Sequence, residues 1–159
     1  MKEYNRQKSI EYARKWAYSR NPAYYDYEKI GGDCTNFVSQ CIYAGSGVMN
    51  YKTWYYKNAN NKSPSWTGVE FLYDFLVNNN SAGPHGQEVS QNQIQLGDVI
   101  QLSANGNRFS HSLIVVGINN VNYLSDILVA THSFDVYGKP AQAYDFKKIR
   151  FVHIKNVYE

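Results

Sequence analysis

Two cysteines, Cys34 and Cys41, are the strongest nucleophiles that this chain offers, and they lie seven residues apart. On one helix that spacing separates their Cα atoms by roughly 10 Å along the axis, whereas a disulfide needs a Cα separation of about 7 Å or less. The two thiols therefore cannot bond to each other. Cys41 falls among apolar residues, and we interpret it as a buried core thiol.

Cys34 stands at the start of a predicted helix, directly after two glycines and Asp33. The free N–H groups and the dipole of a helix N-terminus favour negative charge, so this position predicts a thiol with a lowered pKa. The glycines let the backbone bend sharply and leave room for a substrate. We expect Asp33 to cap the helix or fix the turn, because an anion beside the thiol opposes thiolate formation. Cys34 is a candidate nucleophile if a base lies within reach.

Two of the four histidines are candidates for that base. His111 opens a predicted strand and His132 closes the next one, whereas His85 and His153 are interpreted as ordinary loop and strand residues. If the two strands form a hairpin with its tip between residues 121 and 122, His111 and His132 are direct cross-strand partners, with Cβ atoms about 5 Å apart. One imidazole would then take the thiol proton while a second polar group fixes its tautomer.

The elements that must position these residues follow from the hydrophobic pattern. The stretch KSIEYARKWAYSRNP predicts a helix ended by Asn21-Pro22, and CTNFVSQCIYAGSG predicts a second helix ending at Gly45. TGVEFLYDFLVNNN predicts a third, with a capping box of Thr67 and Glu70, and SAGPHGQ predicts a loop.

The character of the sequence changes after residue 93. The short runs QLGDVIQL, HSLIVVGI, ILVATHSF and IRFVHIKNV are rich in Val and Ile and too closely spaced for helical crossovers, which predicts an antiparallel sheet. Helices followed by a meander of strands predict an α+β domain, and we expect residues 1–159 to form a single domain.

Composition excludes several classes of protein. A net charge of +3, scattered along the chain, does not favour binding to nucleic acid. No run of about 18 apolar residues predicts a membrane span, and MKEYNRQKSI lacks the apolar stretch of a signal peptide.

Aromatic residues make up 16% of the chain, and 15 of them are tyrosines, which suit surfaces that are partly exposed to water. The rings could form a Tyr-rich core and rim, or a groove that stacks on sugars or a peptide. For the second interpretation, the candidate groove wall lies in residues 51–66 and consists of Trp54, Tyr55, Tyr56 and Trp66.

Several blocks of the sequence, taken together, resemble one family. GGDCTNFVSQCIYAGSGVM, SPSWTGVEFLYDFL, LGDVIQL, SHSLIVVG and THSFD occur in this order. They closely resemble the "putative amidase domain" of Gram-positive, chiefly clostridial and bacillar, proteins, and the resemblance covers nearly the whole chain. That domain is similar to the NlpC-type and CHAP cysteine peptidases. The resemblance therefore implies a papain-like fold, with N-terminal helices packed on an antiparallel β-sheet.

The resemblance also implies roles for individual residues. Cys34 would be the nucleophile, His111 the base and His132 the third catalytic residue, with Asp135 competing for the orienting role. The backbone N–H of Cys34 would stabilise the oxyanion. The remaining candidates for support or substrate contact are Asp33, Ser110 and Ser112.

The reaction implied by the resemblance is hydrolysis of an amide bond through a Cys34 thioester. The substrate would be peptide stems or cross-bridges of peptidoglycan, or the bond that joins stem to sugar. We expect a secreted or cell-wall-associated monomer that needs no cofactor. Acyl transfer would use the same thioester.

Two other functions compete with this one. Cys34, His111 and His132 could form a zinc site with one open position, although the sequence lacks a compact motif such as HExxH. Alternatively, the aromatic surface could bind cell-wall polymer without turnover.

Overall fold

The computed structural model describes residues 1–159, which form four α-helices and eight β-strands. The helices are α1 (Arg6–Trp16), α2 (Cys34–Ser46), α3 (Pro64–Thr67) and α4 (Val69–Asn78). The strands are β1 (Tyr56–Asn58), β2 (Asn61–Lys62), β3 (Gly83–Val89), β4 (Val99–Ser103), β5 (His111–Ile118), β6 (Ile127–Thr131), β7 (Val136–Pro140) and β8 (Lys148–Tyr158). No helix has the length and apolar character needed to cross a membrane.

Six of the strands form one sheet in the order β3-β8-β4-β5-β6-β7, and every neighbouring pair is antiparallel. Strands β4 to β7 form a meander, and β8 returns to pair with β4. All four helices precede this sheet in the chain, so the predicted α+β class with an antiparallel sheet is confirmed.

The helix ends differ from their predicted positions. Helix α1 ends at Trp16, before the predicted stop at Asn21-Pro22. Helix α2 runs past Gly45 to Ser46, where Gly47 takes a left-handed conformation with φ of 69° and ends it.

The predicted third helix is divided in two, and its capping box is absent. Gly68 has extended backbone angles and separates α3 from α4. Glu70 therefore does not turn back to Thr67, and its carboxylate instead accepts a hydrogen bond from Arg150.

The predicted loop SAGPHGQ contains the start of strand β3, which pairs with β8 at one edge of the sheet. Glycine and proline signalled a loop in the sequence. An edge strand tolerates proline because one side of the strand needs no hydrogen-bonded partner, so this prediction was wrong for a physical reason.

The two faces of the sheet bury two separate cores. On β5, Ile114 and Val116 belong to the larger core, which also contains residues of α1, α2 and α4. Leu113 and Val115 belong to a smaller core on the opposite face. Because side chains alternate along a strand, odd-numbered and even-numbered residues at the start of β5 are directed to different faces. This alternation determines where the candidate catalytic residues lie.

Candidate active site

Helix α2 presents Cys34 as its first residue, after a sharp turn. Gly31 and Gly32 have φ of 87° and 97°, a left-handed conformation that favours glycine. Asp33 occupies the N-cap position without a side-chain capping bond. Its Oδ1 instead accepts hydrogen bonds from the Tyr27 N–H at 2.8 Å and from Asn36 Nδ2 at 2.9 Å. Asp33 therefore fixes the turn, and the capping alternative was wrong.

The Cys34 thiol is buried, and only 8% of the residue is exposed. Burial raises the pKa of this thiol above its ordinary value, and the charge of Asp33 raises it further. Backbone N–H groups of Ser112 and Thr35 hydrogen-bond to the sulfur and lower the pKa, but they do not outweigh burial. The lowered pKa predicted from the helix N-terminus is therefore wrong for this state, and the thiol stays protonated at neutral pH. Cys41 is buried and unpaired, as predicted.

His111 opens β5 and lines a surface pocket of about 430 Å³, beside Lys139, Tyr144 and Phe134. Its ring lies 5.6 Å from the Tyr144 ring, centroid to centroid, and makes no hydrogen bond to another residue. Burial, and secondarily the charge of Lys139, lowers the pKa of His111 to about 4. The imidazole is therefore neutral at pH values well above 4, which is the form that can accept a proton.

Cys34 and His111 are brought to the same end of the sheet through Ser112 and Ser133. The Cys34 sulfur accepts the N–H of Ser112, the residue that follows His111 in the chain. Ser133 lines the His111 pocket, and its Oγ lies 3.5 Å from the backbone N of Asp33. The structure has no hydrogen bond between the thiol and the His111 ring. Catalytic hydrogen bonds are often long in a free enzyme and tighten when substrate binds.

His132 does not pair with His111, and the predicted cross-strand partnership is wrong. Ile114 pairs with Ala130, and continuing that register places Ser112, not His111, opposite His132. A shift of one residue directs a side chain to the other face of a sheet. The predicted hairpin was therefore one residue out of register.

The His132 ring is instead buried against α1 and α2. Its Nδ1 lies 2.6 Å from Asp33 Oδ2, its Nε2 lies 2.9 Å from the Trp16 carbonyl oxygen, and the ring stacks on Phe37 with centroids 4.1 Å apart. A carbonyl only accepts, so Nε2 holds a proton, and a second proton joins Nδ1 to the carboxylate. Neither nitrogen is free to orient His111 or to bind a metal ion.

Asp135, the other candidate for the orienting role, is paired elsewhere. Its carboxylate accepts hydrogen bonds from Arg20 at 2.8 and 3.2 Å. Arg20 also lies within ion-pair distance of Asp26, Glu28 and Asp33. These contacts connect the segment between α1 and α2 to the turn between β6 and β7, so the structure gives Asp135 a structural role.

The aromatic groove predicted in residues 51–66 is largely core. Trp54 and Trp66 have no exposed surface, Tyr56 is buried, and only Tyr55 is half-buried. Trp54 Nε1 donates to Ser39 Oγ at 3.2 Å, and Trp66 Nε1 donates to Asn36 Oδ1 at 3.0 Å. The polar atoms of both indoles are thus satisfied inside the protein, and Trp54, Tyr56 and Trp66 cannot form a groove wall.

The two serines that flank His111 have different environments. Ser110 is exposed at the entrance to β5 and remains a candidate for substrate contact. Ser112 is fully buried, and its hydroxyl bonds to Thr35 Oγ1 at 2.9 Å and to Gln101 Nε2 at 3.2 Å. Its side chain is therefore not part of a pocket lining, whereas its backbone N–H contacts the candidate nucleophile.

No group of three or more His, Cys, Asp and Glu side chains is arranged to hold a metal ion. The zinc alternative required Cys34, His111 and His132 to converge, and the hydrogen bonds of His132 prevent this set from forming.

Sequence reasoning missed the other six residues of the His111 pocket: Ser133, Phe134, Lys139, Ala143, Tyr144 and Asp145. Ser133 and Phe134 have φ of 68° and 58°, and Phe134 is 95% exposed. Non-glycine residues in this conformation are uncommon and are enriched at functional sites. No periodic pattern marks a turn of this kind, so the sequence held no signal for it beyond the polar run that follows β6.

The low pKa of His111 predicts an acid-sensitive fold. The unfolded chain protonates this imidazole near its ordinary pKa of about 6.5, whereas the folded protein does so near a pKa of about 4. The unfolded state binds more protons between these values, so stability present above about pH 6.5 is lost as pH falls through about 4. Such a shift corresponds to about 3 kcal/mol.

Between about pH 7 and pH 4, we expect the free energy of unfolding to fall by about 3 kcal/mol more in the wild type than in His111→Gln. Urea denaturation measures both values. Equal losses in the two proteins would contradict a buried neutral His111.

Comparison with known proteins gives two findings. Residues 3–155 match the family described as "putative amidase domain". The chain is also similar to "Uncharacterized protein YhbB" of Bacillus subtilis (strain 168), with 34% identity over 126 residues, covering 76% of this chain and 39% of that protein. The chain thus spans about two fifths of the length of this relative. No solved structure matches the chain.

Proposed function

Because the chain belongs to the family described as "putative amidase domain", we propose that it is a cysteine-dependent amidase in which Cys34 is the nucleophile and His111 the base. The family name supports a hydrolase that acts on amide bonds. One observation supports the cysteine mechanism: a thiol at the first position of α2 accepts the N–H of the residue next to a neutral histidine.

The arrangement also supports a papain-like fold, similar to that of NlpC-type and CHAP peptidases. In that group the nucleophile begins a helix that packs on an antiparallel sheet, and the base begins a strand of that sheet. Here α2 begins with Cys34 and β5 begins with His111. The relation rests on this correspondence and on the sequence blocks that carry the resemblance.

The resting pair is a neutral thiol and a neutral imidazole, because burial raises the pKa of Cys34 and lowers that of His111. In the proposed reaction His111 takes the thiol proton as the sulfur bonds to the amide carbonyl carbon. The Cys34 N–H, at the first turn of α2, has no helical partner and is available to the oxyanion.

The second half of the reaction restores the enzyme. The carbon–nitrogen bond breaks, and the imidazolium gives its proton to the leaving amine. Water then attacks the thioester with His111 again accepting the proton, which releases a carboxylic acid and the free thiol. No step needs a third catalytic residue, and the structure gives both His132 and Asp135 other partners.

The proposed substrate is the peptide part of bacterial peptidoglycan, and the proposed location is outside the cell or at the cell wall. Both proposals rest on the resemblance to peptidases that cleave peptide stems and cross-bridges in Gram-positive bacteria. The pocket beside His111 is open to solvent, and the proposed peptide stem would enter the site there.

Digestion of purified Gram-positive cell walls tests the proposed function. Walls are incubated with the wild-type protein in H₂¹⁸O, and soluble fragments are separated and weighed by mass spectrometry, with Cys34→Ala as the matched control. We expect new fragments, each with one ¹⁸O in a new carboxyl group, from the wild type alone. Fragments without ¹⁸O would indicate acyl transfer. Co-sedimentation with the walls without any release would contradict the enzyme and favour a binding module.

A further inference from the structure

The pocket beside His111 contains a cation without a carboxylate partner. Lys139 lies on β7, is half-buried, and places its Nζ 4.1 Å from the centroid of the Tyr144 ring. No Asp or Glu lies within ion-pair distance of this ammonium group, although Asp145 lines the same pocket at an exposed position.

This arrangement differs from that of the partly buried arginines, although Lys62 also lies over a tyrosine ring without an ion-pair partner. Arg6, Arg20 and Arg150 each pair with at least one carboxylate. Lys139 is held only by the face of an aromatic ring, a contact that fixes the position of a cation without neutralising it. Its charge lowers the pKa of His111, second to the effect of burial. The pocket therefore presents, next to the base, a cation that no ion pair neutralises.

The rim of the pocket adds an apolar surface. Phe134 is 95% exposed, and the left-handed backbone at Ser133 and Phe134 turns the chain at this rim. Exposing a whole phenyl ring is unfavourable in a free protein, so a bound group that covers the ring would recover this cost. A ligand with an anionic end and an apolar body matches both features.

We propose that this pocket binds a carboxylate of the substrate through Lys139, so that the preferred substrates are amides with a free carboxylate close to the scissile bond. The proposal rests on the proposed function and narrows its substrate class. An ion pair with Lys139 would hold the scissile amide beside His111. It would also cancel the positive charge that weakens His111 as a base.

Two alkylating reagents of nearly equal shape test this proposal at Cys34. Iodoacetate carries a carboxylate and iodoacetamide a neutral amide, and rates are read at Cys34 by peptide mass mapping. The ratio of the two rate constants is compared among wild type, Lys139→Gln and Lys139→Arg. Lys57→Gln is the matched control, because Lys57 also lies over a tyrosine ring and its loss changes the net charge equally. Intrinsic differences between the reagents cancel in this comparison.

We expect Lys139→Gln to lower the iodoacetate-to-iodoacetamide ratio by about twofold or more at low salt. Lys139→Arg and Lys57→Gln should keep the wild-type ratio. An unchanged ratio in Lys139→Gln, with Cys34 reacting normally, would overturn the carboxylate site and leave the amidase proposal intact.

A second measurement does not depend on the reactivity of Cys34. Binding of N-acetylglycine and of its neutral amide is followed through the His111 imidazole resonances by NMR, in wild type and Lys139→Gln. We expect only the carboxylate to shift the His111 signals, and only in the wild type. Equal shifts by both compounds, or none by either, would overturn the proposal even if Cys34 resists both alkylating reagents.

Discussion

Replacing Cys34 with alanine is expected to reduce amide hydrolysis by roughly 10⁴-fold or more, because the variant cannot form the thioester. Replacing His111 with glutamine should lower kcat/KM by about 10²–10⁴-fold, the usual contribution of a general base. Glutamine is similar to histidine in polarity, so the second variant tests loss of the base more than loss of packing. Both rates are measured with a purified wall fragment that contains the bond cleaved in the digestion experiment.

The pH dependence of kcat/KM is the sharper part of this prediction. Between about pH 5 and pH 8 both groups keep one protonation state, since the pKa of His111 is about 4 and burial raises that of Cys34. We therefore expect a flat profile in this range and a fall as pH drops through about 4, where His111 gains a proton and can no longer accept one. An acidic limb between about pH 6 and 7 would contradict the neutral pair.

A matched variant separates catalysis from packing in this experiment. Ser112→Ala removes a buried hydroxyl beside His111 but keeps the backbone N–H that contacts the thiol. Loss of this hydrogen bond should destabilise the protein by about 1–3 kcal/mol while the plateau of the pH profile keeps its shape. A rate loss in Ser112→Ala equal to that in His111→Gln would argue that both changes disturb the site through packing alone.

Much of the framework of the candidate site was predictable from sequence. The start of α2 at Cys34 follows from the glycines before it and the apolar stripe after it, and the strand that begins at His111 follows from its run of Val and Ile. These signals are local, because they depend on the periodicity of a few neighbouring residues.

Whether His132 lies opposite His111 was not predictable, because a β-bulge between two strands changes their register. The register between β5 and β6 shifts by one residue between Val115 and Gly117. A bulge of this kind leaves no periodic trace, and one residue decides which face a side chain occupies. The sequence therefore placed His132 opposite His111, whereas the fold places it against Asp33.

The aromatic residues show a different limit of sequence reasoning. Trp54 and Trp66 lie in a polar stretch typical of a surface groove, yet both are fully buried. Each indole N–H finds an acceptor on α2, Ser39 in one case and Asn36 in the other. Composition indicates that a segment is amphipathic, but it does not indicate whether its polar atoms bond to water or to other side chains.

Replacing His132 with alanine is expected to destabilise the fold by about 3–5 kcal/mol, because Asp33 would remain buried without its closest partner. The Asp33 carboxylate is 1% exposed, and Arg20 Nε is more distant from its Oδ2, at 3.6 Å against 2.6 Å for His132 Nδ1. The variant also loses the stack on Phe37 and the bond to the Trp16 carbonyl. For a domain of this size, we expect a fall in Tm of roughly 10 °C, measured by calorimetry together with urea denaturation.

His153 provides the matched comparison, because it pairs with a second buried carboxylate. His153 Nδ1 lies 2.8 Å from Asp98 Oδ2, but Asp98 also binds Arg6 at 2.7 Å and keeps that partner when the histidine is removed. His153→Ala should therefore cost less, about 1–2 kcal/mol. If His132→Ala instead kept full stability and lost amidase turnover, His132 would belong to the catalytic machinery, as its position after β6 first indicated. A large loss of stability, with turnover per folded molecule within about tenfold of wild type, would establish His132 as the residue that holds the start of α2, and with it Cys34, in place.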